Sequence, residues 1–249
     1  MNALGICKGI VLLAVLSVVW PVRAQTVALF YDGRYVATNT TASSEAYNMK
    51  QALLSMDFKV KTFSGITSTD FSNVLAGADA LIIPELKNGE LETNLTSEVV
   101  SILCDFVESG NMLIQIGDFY SRGDRFINST FGFAIKGSST VSGSLVSSYP
   151  KGTIFEGGPS ALAGVNGLFP WISSSLPSGT RSVYGFTREV DYTTVALIPK
   201  GSGRIVLLAW DWYNAAPCGT QDSGWNAVLQ RVIKSSSGPM PGVILVRLD

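Results

Sequence analysis

Phe106-Val-Glu-Ser-Gly-Asn-Met-Leu-Ile-Gln-Ile-Gly-Asp118 decides how this 249-residue chain folds. Its first residues close a helix predicted over Thr96 to Ser109. Val99, Leu103, Phe106 and Val107 fall on one stripe of that helix, and Gly110 supplies the C-cap signal. Met112 to Ile116 then reads as a short, almost continuous apolar run. Such a run suits a strand buried on both faces, as in a parallel sheet. The run stops on a carboxylate, Asp118.

The same grammar recurs on either side. Val27-Ala-Leu-Phe-Tyr-Asp32, Ala80-Leu-Ile-Ile-Pro-Glu85 and Ile205-Val-Leu-Leu-Ala-Trp-Asp211 are strand-type runs that also end on acids. Between them, Glu45 to Met56 carries Ala46, Met49, Leu53 and Met56 at helical spacing. Lys59 to Phe63 alternates charge and bulk as an edge strand does. Thr69-Asp70 is positioned to cap a short helix with Phe71, Val74 and Leu75 on one face. Strands alternating with helices imply an α/β fold with a mostly parallel sheet and right-handed crossovers. Asp32, Glu85, Asp118 and Asp211 then all lie on the carboxyl edge of the sheet, where open α/β sheets bind ligands.

From Gly137 to Gly179 the chain is rich in Ser, Gly and Pro, with isolated apolar anchors at Leu145-Val146, Ile154-Phe155 and Leu168 to Ile172. It reads as loops and short strands laid over the sheet edge, because a flexible linker does not carry so many large apolar residues. Val183 to Arg188, Thr193 to Pro199 and Arg204 to Trp210 read as strands, and the Lys200-Gly-Ser-Gly turn makes the last two a late β-hairpin. A final helix is predicted over Gly224 to Lys234, with Trp225, Val228, Leu229 and Val232 inward. Residues 235–249 are read as a breaker and tail, whose Val243 to Val246 run suits an added edge strand.

Residues 1–24 have the pattern of a secretory signal peptide: Lys8, an apolar stretch from Gly9 to Trp20, and the small-residue site Val22-Arg23-Ala24. The main domain is then expected over 25–234, with a secreted or cell-surface location and no membrane span once the signal is cleaved. Acidic and basic residues are nearly balanced, 19 against 18, and no basic patch stands out, which argues against a nucleic-acid partner. Cys104 and Cys218 allow one disulfide in an oxidising compartment; the alternative is two thiols, with Cys104 packed on its helix. Asn39, Asn94 and Asn128 begin N-x-Ser/Thr triplets and are candidate glycosylation acceptors.

The four acids are candidate ligand-binding residues, able to offer oxygen ligands to a cation, hydrogen bonds to sugar hydroxyls, or an acid–base pair. The competing role is local, since acids after strands also cap helices and tie down loops. Trp212 and Tyr213 follow the last of these strands and offer faces on which a sugar ring can stack. Trp225 belongs to the core face of its helix. No cofactor is expected from any motif, and no phosphate-binding loop with its lysine is present. Asp118, Arg122, Asp124 and Arg125 are read as one loop, able to form salt bridges among themselves.

The order of these strings resembles the class I glutamine amidotransferase-like superfamily, in particular its trehalose-utilisation-type branch. The resemblance covers roughly residues 27–234. It rests on the Asp32, Glu85, Asp118 and Asp211 strings, above all on the helix, Gly110 turn and strand that lead to Asp118. It implies a flavodoxin-like sheet with helices on both faces. Active amidotransferases carry G-x-C-x-G after that strand; here Gly117-Asp118-Phe119-Tyr120-Ser121 puts Phe119 at the position of the cysteine. The family's late His-x-Glu has no counterpart, because the chain contains no histidine. Thiol amidotransfer needs a thiolate and a base, so it is not expected here. The leading expectation is a non-catalytic module that binds an extracellular protein or glycan, or self-assembles. The alternative is a carboxylate-dependent, cation-assisted or cation-free, hydrolase or isomerase acting on a sugar-like substrate.

Overall fold

The computed structural model describes residues 24–138, 143–144, 152–164, 167–188 and 190–236. The signal-peptide segment, the anchors at Leu145-Val146 and the tail run Val243 to Val246 lie outside the described residues.

The first half follows the alternation read from the sequence: β1 (Thr26–Phe30), α1 (Glu45–Ser55), β2 (Lys59–Phe63), α2 (Ser68–Leu75), β3 (Ala80–Ile83), α3 (Ser97–Glu108) and β4 (Met112–Ile116). Thr67 caps α2: its hydroxyl accepts from Asp70 N, and the Asp70 side chain answers the Thr67 backbone in a capping box. The helix thus begins ahead of the expected Thr69-Asp70 cap, because the reciprocal pair needs a three-residue spacing.

A helix then stands where the sequence suggested a loop: α4 (Arg122–Phe131). Its buried side is Phe126, Ile127, Thr130 and Phe131. That stripe was masked by polar neighbours and by a start, at Ser121, in the left-handed region (φ 53°). The expected salt bridges within 118–125 do not form. Arg125 instead pairs with Glu90 (2.8 Å) and Glu92 (2.9 Å), and Asp124 accepts the Trp171 indole N–H at 2.6 Å.

The second half contains β5 (Gly143–Ser144), β6 (Ala163–Gly164), β7 (Trp171–Ile172), β8 (Arg181–Thr187), β9 (Asp191–Lys200), β10 (Gly203–Leu208) and α5 (Trp225–Lys234). The main sheet runs β2-β1-β3-β4-β10-β9-β7, with β8 also on β9. β2, β1, β3, β4 and β10 are parallel, and β9 joins β10 as the antiparallel late hairpin. The parallel part has the 2-1-3-4-5 order of flavodoxin-like sheets.

β1, β3, β4 and β10 are buried along their whole length, which explains the unbroken apolar runs. α2 packs on α3 and α3 on α4. α1 and α5 meet through Trp212, whose carbonyl accepts from Asn48 Nδ2 (3.0 Å) and whose indole donates to Asn226 Oδ1 (3.0 Å). Trp210, Trp212 and Trp225 cluster with ring centroids 4.8–6.4 Å apart. No helix among the described residues is long and apolar enough to cross a membrane.

The candidate disulfide is corrected: Cys104 and Cys218 are both free thiols. Cys104 faces α4 and its Sγ lies 3.4 Å from the Thr130 carbonyl, whereas Cys218 follows β10 beyond the carboxyl edge. Asn128 is also not an exposed acceptor. Its Nδ2 donates to Ile135 O and its Oδ1 accepts from Ile135 N, both at 2.8 Å, so the amide is consumed in closing α4. Asn39 and Asn94 are exposed.

Candidate functional site

The carboxyl ends of β1, β3, β4 and β10 each deliver an acid, as the runs suggested, but the four acids do different work. Asp32 is held by Arg34, whose Nη2 lies 2.6 Å from Oδ2, and by the N–H of Gly65 at 3.0 Å. The side-chain hydrogen bond from Arg34 dominates and pulls the Asp32 carboxyl down to about 2. It fastens the loop after β1 to the loop after β2.

Asp118 is likewise enclosed by backbone. Its oxygens accept from Tyr120 N (2.8 Å), Arg122 N (3.0 Å) and Gly123 N. Burial pushes its carboxyl up while these N–H groups pull back. Its place is the start of α4, where a carboxylate satisfies orphan helix donors. A Cβ on Gly123 would lie 2.5 Å from Gln115 Nε2 and 2.9 Å from Asp118 Oδ2, so a larger residue there would displace one of these side chains.

Glu85 and Asp211 converge instead on one cavity of ≈ 280 Å³, and a third acid joins them there: Glu45. One oxygen from each of the three lies within 4.8 Å of the other two. Glu45 opens α1, whose N-terminus faces the carboxyl edge because the chain enters it directly from β1. The positive end of the helix dipole therefore points at the cluster. The loops that carry Glu45 and Asp211 are sewn together, since Asn214 N donates to Ala42 O at 2.7 Å and Asn48 Nδ2 bridges Ala42 O and Trp212 O.

Lys87 supplies the cation, with Nζ 2.7 Å from Glu45 Oε1. Burial pulls the Lys87 ammonium down, but the bond and charge of Glu45, with Glu85 and Asp211 behind them, leave it above its ordinary value. Burial pushes the Glu85 carboxyl up to about 8, and the charge of Glu45 adds to this. Asp211 is likewise raised well above the usual carboxylate range, first by burial and then by Glu85. Phe119 N donates to Glu85 Oε1 (3.3 Å) and Tyr213 N to Asp211 Oδ1 (2.8 Å). Glu45 Oε2 is buried with no hydrogen-bond partner.

The rest of the wall is aromatic: Phe119, Tyr120, Phe169 and Tyr213, with Gly167 against Asp211. Phe119 and Tyr120 stand 58% and 50% exposed at the mouth. Arg122 steadies this side, donating to the Leu86 and Lys87 carbonyls (2.9 and 2.5 Å) while its guanidinium sits 4.4 Å from the Tyr120 ring centre.

The structure thus gathers Glu85, Asp211 and Tyr213 of the sequence-derived set. Asp32 and Asp118 are placed in local anchoring roles, and Trp212 is wholly buried in the tryptophan cluster. Glu45 and Lys87 escaped the sequence reading. Glu45 has the look of an ordinary first-turn acid; the signal that could have found it is an acid opening the helix directly after β1.

These features define a flavodoxin-like α/β fold with a mixed, mostly parallel sheet, and it resembles ThuA-like proteins. The sequence matches no protein-family model and no curated protein. Among solved structures, cytoplasmic protein STM1381 from Salmonella typhimurium LT2 is similar at a TM-score of 0.57 and 9% identity, over 85% of this chain and 99% of that one. A putative ThuA-like protein from Bacteroides uniformis aligns at a TM-score of 0.56 and 9% identity, over 85% and 93% of the two chains. A β-galactosidase from Bacillus circulans sp. alkalophilus aligns at a TM-score of 0.54 and 12% identity, over 87% of this chain but 32% of that enzyme. The expectation of a secreted or surface location is corrected by these neighbours, because STM1381 and STM3548 of Salmonella typhimurium are both described as cytoplasmic proteins.

Proposed function

We propose that this chain is an amidotransferase-like scaffold of the ThuA type that has lost thiol chemistry and uses carboxyl groups for acid–base work on a small, sugar-like substrate. The observation that carries the reading is the convergence of Glu45, Glu85 and Asp211 with Lys87 in one cavity. Two carboxyl groups in different environments are the usual basis of an acid and a base at neutral pH. Glu45, paired with Lys87, is the base. Glu85, whose carboxyl is pushed up to about 8, is the proton donor. In an isomerisation, Glu45 removes a proton from the carbon beside a carbonyl while Glu85 delivers one to the carbonyl oxygen. Asp211 and Tyr213 hold hydroxyls. Phe119, at the position where the resemblance puts a cysteine, contributes wall and no nucleophile.

The test is solvent-deuterium exchange into small aldoses and ketoses followed by NMR, with aryl glycosides as the hydrolysis arm. Turnover that is lost in both Glu45→Gln and Glu85→Gln supports the reading. Sugar binding that persists in both variants, with no exchange or hydrolysis in the unmodified protein, refutes it. That second outcome favours a non-catalytic binding module, the reading to which the exposed Phe119 and Tyr120 rings lend support.

A further inference from the structure

We propose that Glu45, Glu85 and Asp211 form a site for one hard divalent cation. This rests on the same pocket being functional, but not on any catalysis there. The donor set is all oxygen, which selects calcium, magnesium or manganese over softer ions. The three oxygens here lie within 4.8 Å of one another, close enough to contact one such ion together.

A second observation stands apart from the clustering of acids. The Glu45 side chain is only 2% exposed, and its Oε2 has no partner although Oε1 is engaged by Lys87. A buried carboxylate oxygen left bare is costly, and Glu45 is on the cavity wall. A cation bound through Oε2 satisfies it while leaving the Lys87 pair intact. The remaining coordination positions face the cavity and are open to water or substrate hydroxyls.

The experiment uses the full chain stripped with EDTA. Terbium, a hard oxygen-seeking ion, is the first probe, because Tyr213 and Tyr120 line the cavity and can sensitise its emission. Calcium, magnesium and manganese are then titrated as competitors and by calorimetry. The expected result is sensitised emission, its displacement by a hard divalent competitor, and one ion per chain. Affinity should fall about tenfold or more in Glu45→Gln, Glu85→Gln and Asp211→Asn. Folding of each variant is checked by circular dichroism, and the emission measurement needs no variant at all. Absence of sensitised emission, or equal affinity in all three variants, overturns the proposal. Cation binding without turnover of any sugar leaves the proposal standing and removes the acid–base reading; turnover that is indifferent to EDTA and to added calcium does the reverse.

Discussion

Glu85→Gln should remove most of a loss of stability that the native protein suffers between mildly acidic and mildly alkaline pH. The folded protein raises the Glu85 carboxyl from 4.5 to about 8, through burial and the charge of Glu45. A carboxyl whose folded value lies above its unfolded one favours the protonated fold. Its benefit is complete below about pH 4.5 and drains away as pH rises towards 8. A span of roughly 3.5 pH units at about 1.4 kcal/mol each sets a ceiling of about 5 kcal/mol. Water at the mouth of the cavity and the Lys87 ammonium screen the charge, so about 2 kcal/mol is the expected size. Glutamine keeps the shape and the acceptor for Phe119 N but cannot ionise. Urea unfolding at about pH 5, 6.5 and 8.5 in the presence of EDTA measures the difference. The native protein should lose stability across this series, and Glu85→Gln should lose much less. The residual slope belongs to Asp211, which is also raised. Parallel curves for the two proteins would refute the assignment of a buried, strained carboxyl to Glu85.

Asp32 carries the opposite sign: its carboxyl is drawn down to about 2 by Arg34, so its contribution is present above about pH 4 and fades as pH falls towards 2. Asp32→Asn should cost about 1 kcal/mol at neutral pH, reduced by the exposure of Arg34, and flatten the acid limb of an unfolding series. Lys87→Met leaves Glu45 buried without its cation and should destabilise by about 2 kcal/mol at neutral pH; thermal melts measure this. Asn128→Ala removes both hydrogen bonds to Ile135 and should cost about 1–2 kcal/mol in urea titrations, with no effect on terbium binding at the distant cavity.

The parallel sheet was legible because burial on both faces leaves a local mark. Phe30, Ile82, Ile114 and Val206 are all fully buried, and each sits in an apolar run too long for an amphipathic strand. The acids at the ends of those runs were legible for the same reason, since each is the first polar residue where the strand leaves the core. α4 was not, because its start depends on Asp118 accepting N–H groups from three residues of the following turn rather than on a side-chain cap. Whether an acid serves a ligand or a loop depends on what the other loops bring. Arg34 lies two residues from Asp32 and claims it with its guanidinium; no side chain adjacent in sequence hydrogen-bonds Glu85 or Asp211.

Local composition and periodicity by themselves determined the α/β alternation and the carboxyl edge. Only the tertiary structure decided which acids meet. Glu45 and Asp211 are separated by most of the chain, and they become neighbours because α1 starts beside the end of β10 and Asn48 ties the two loops together. A carboxyl group's protonation, partners and reach are set by burial and by charges contributed from other elements, and neither is written in the residues on either side of it.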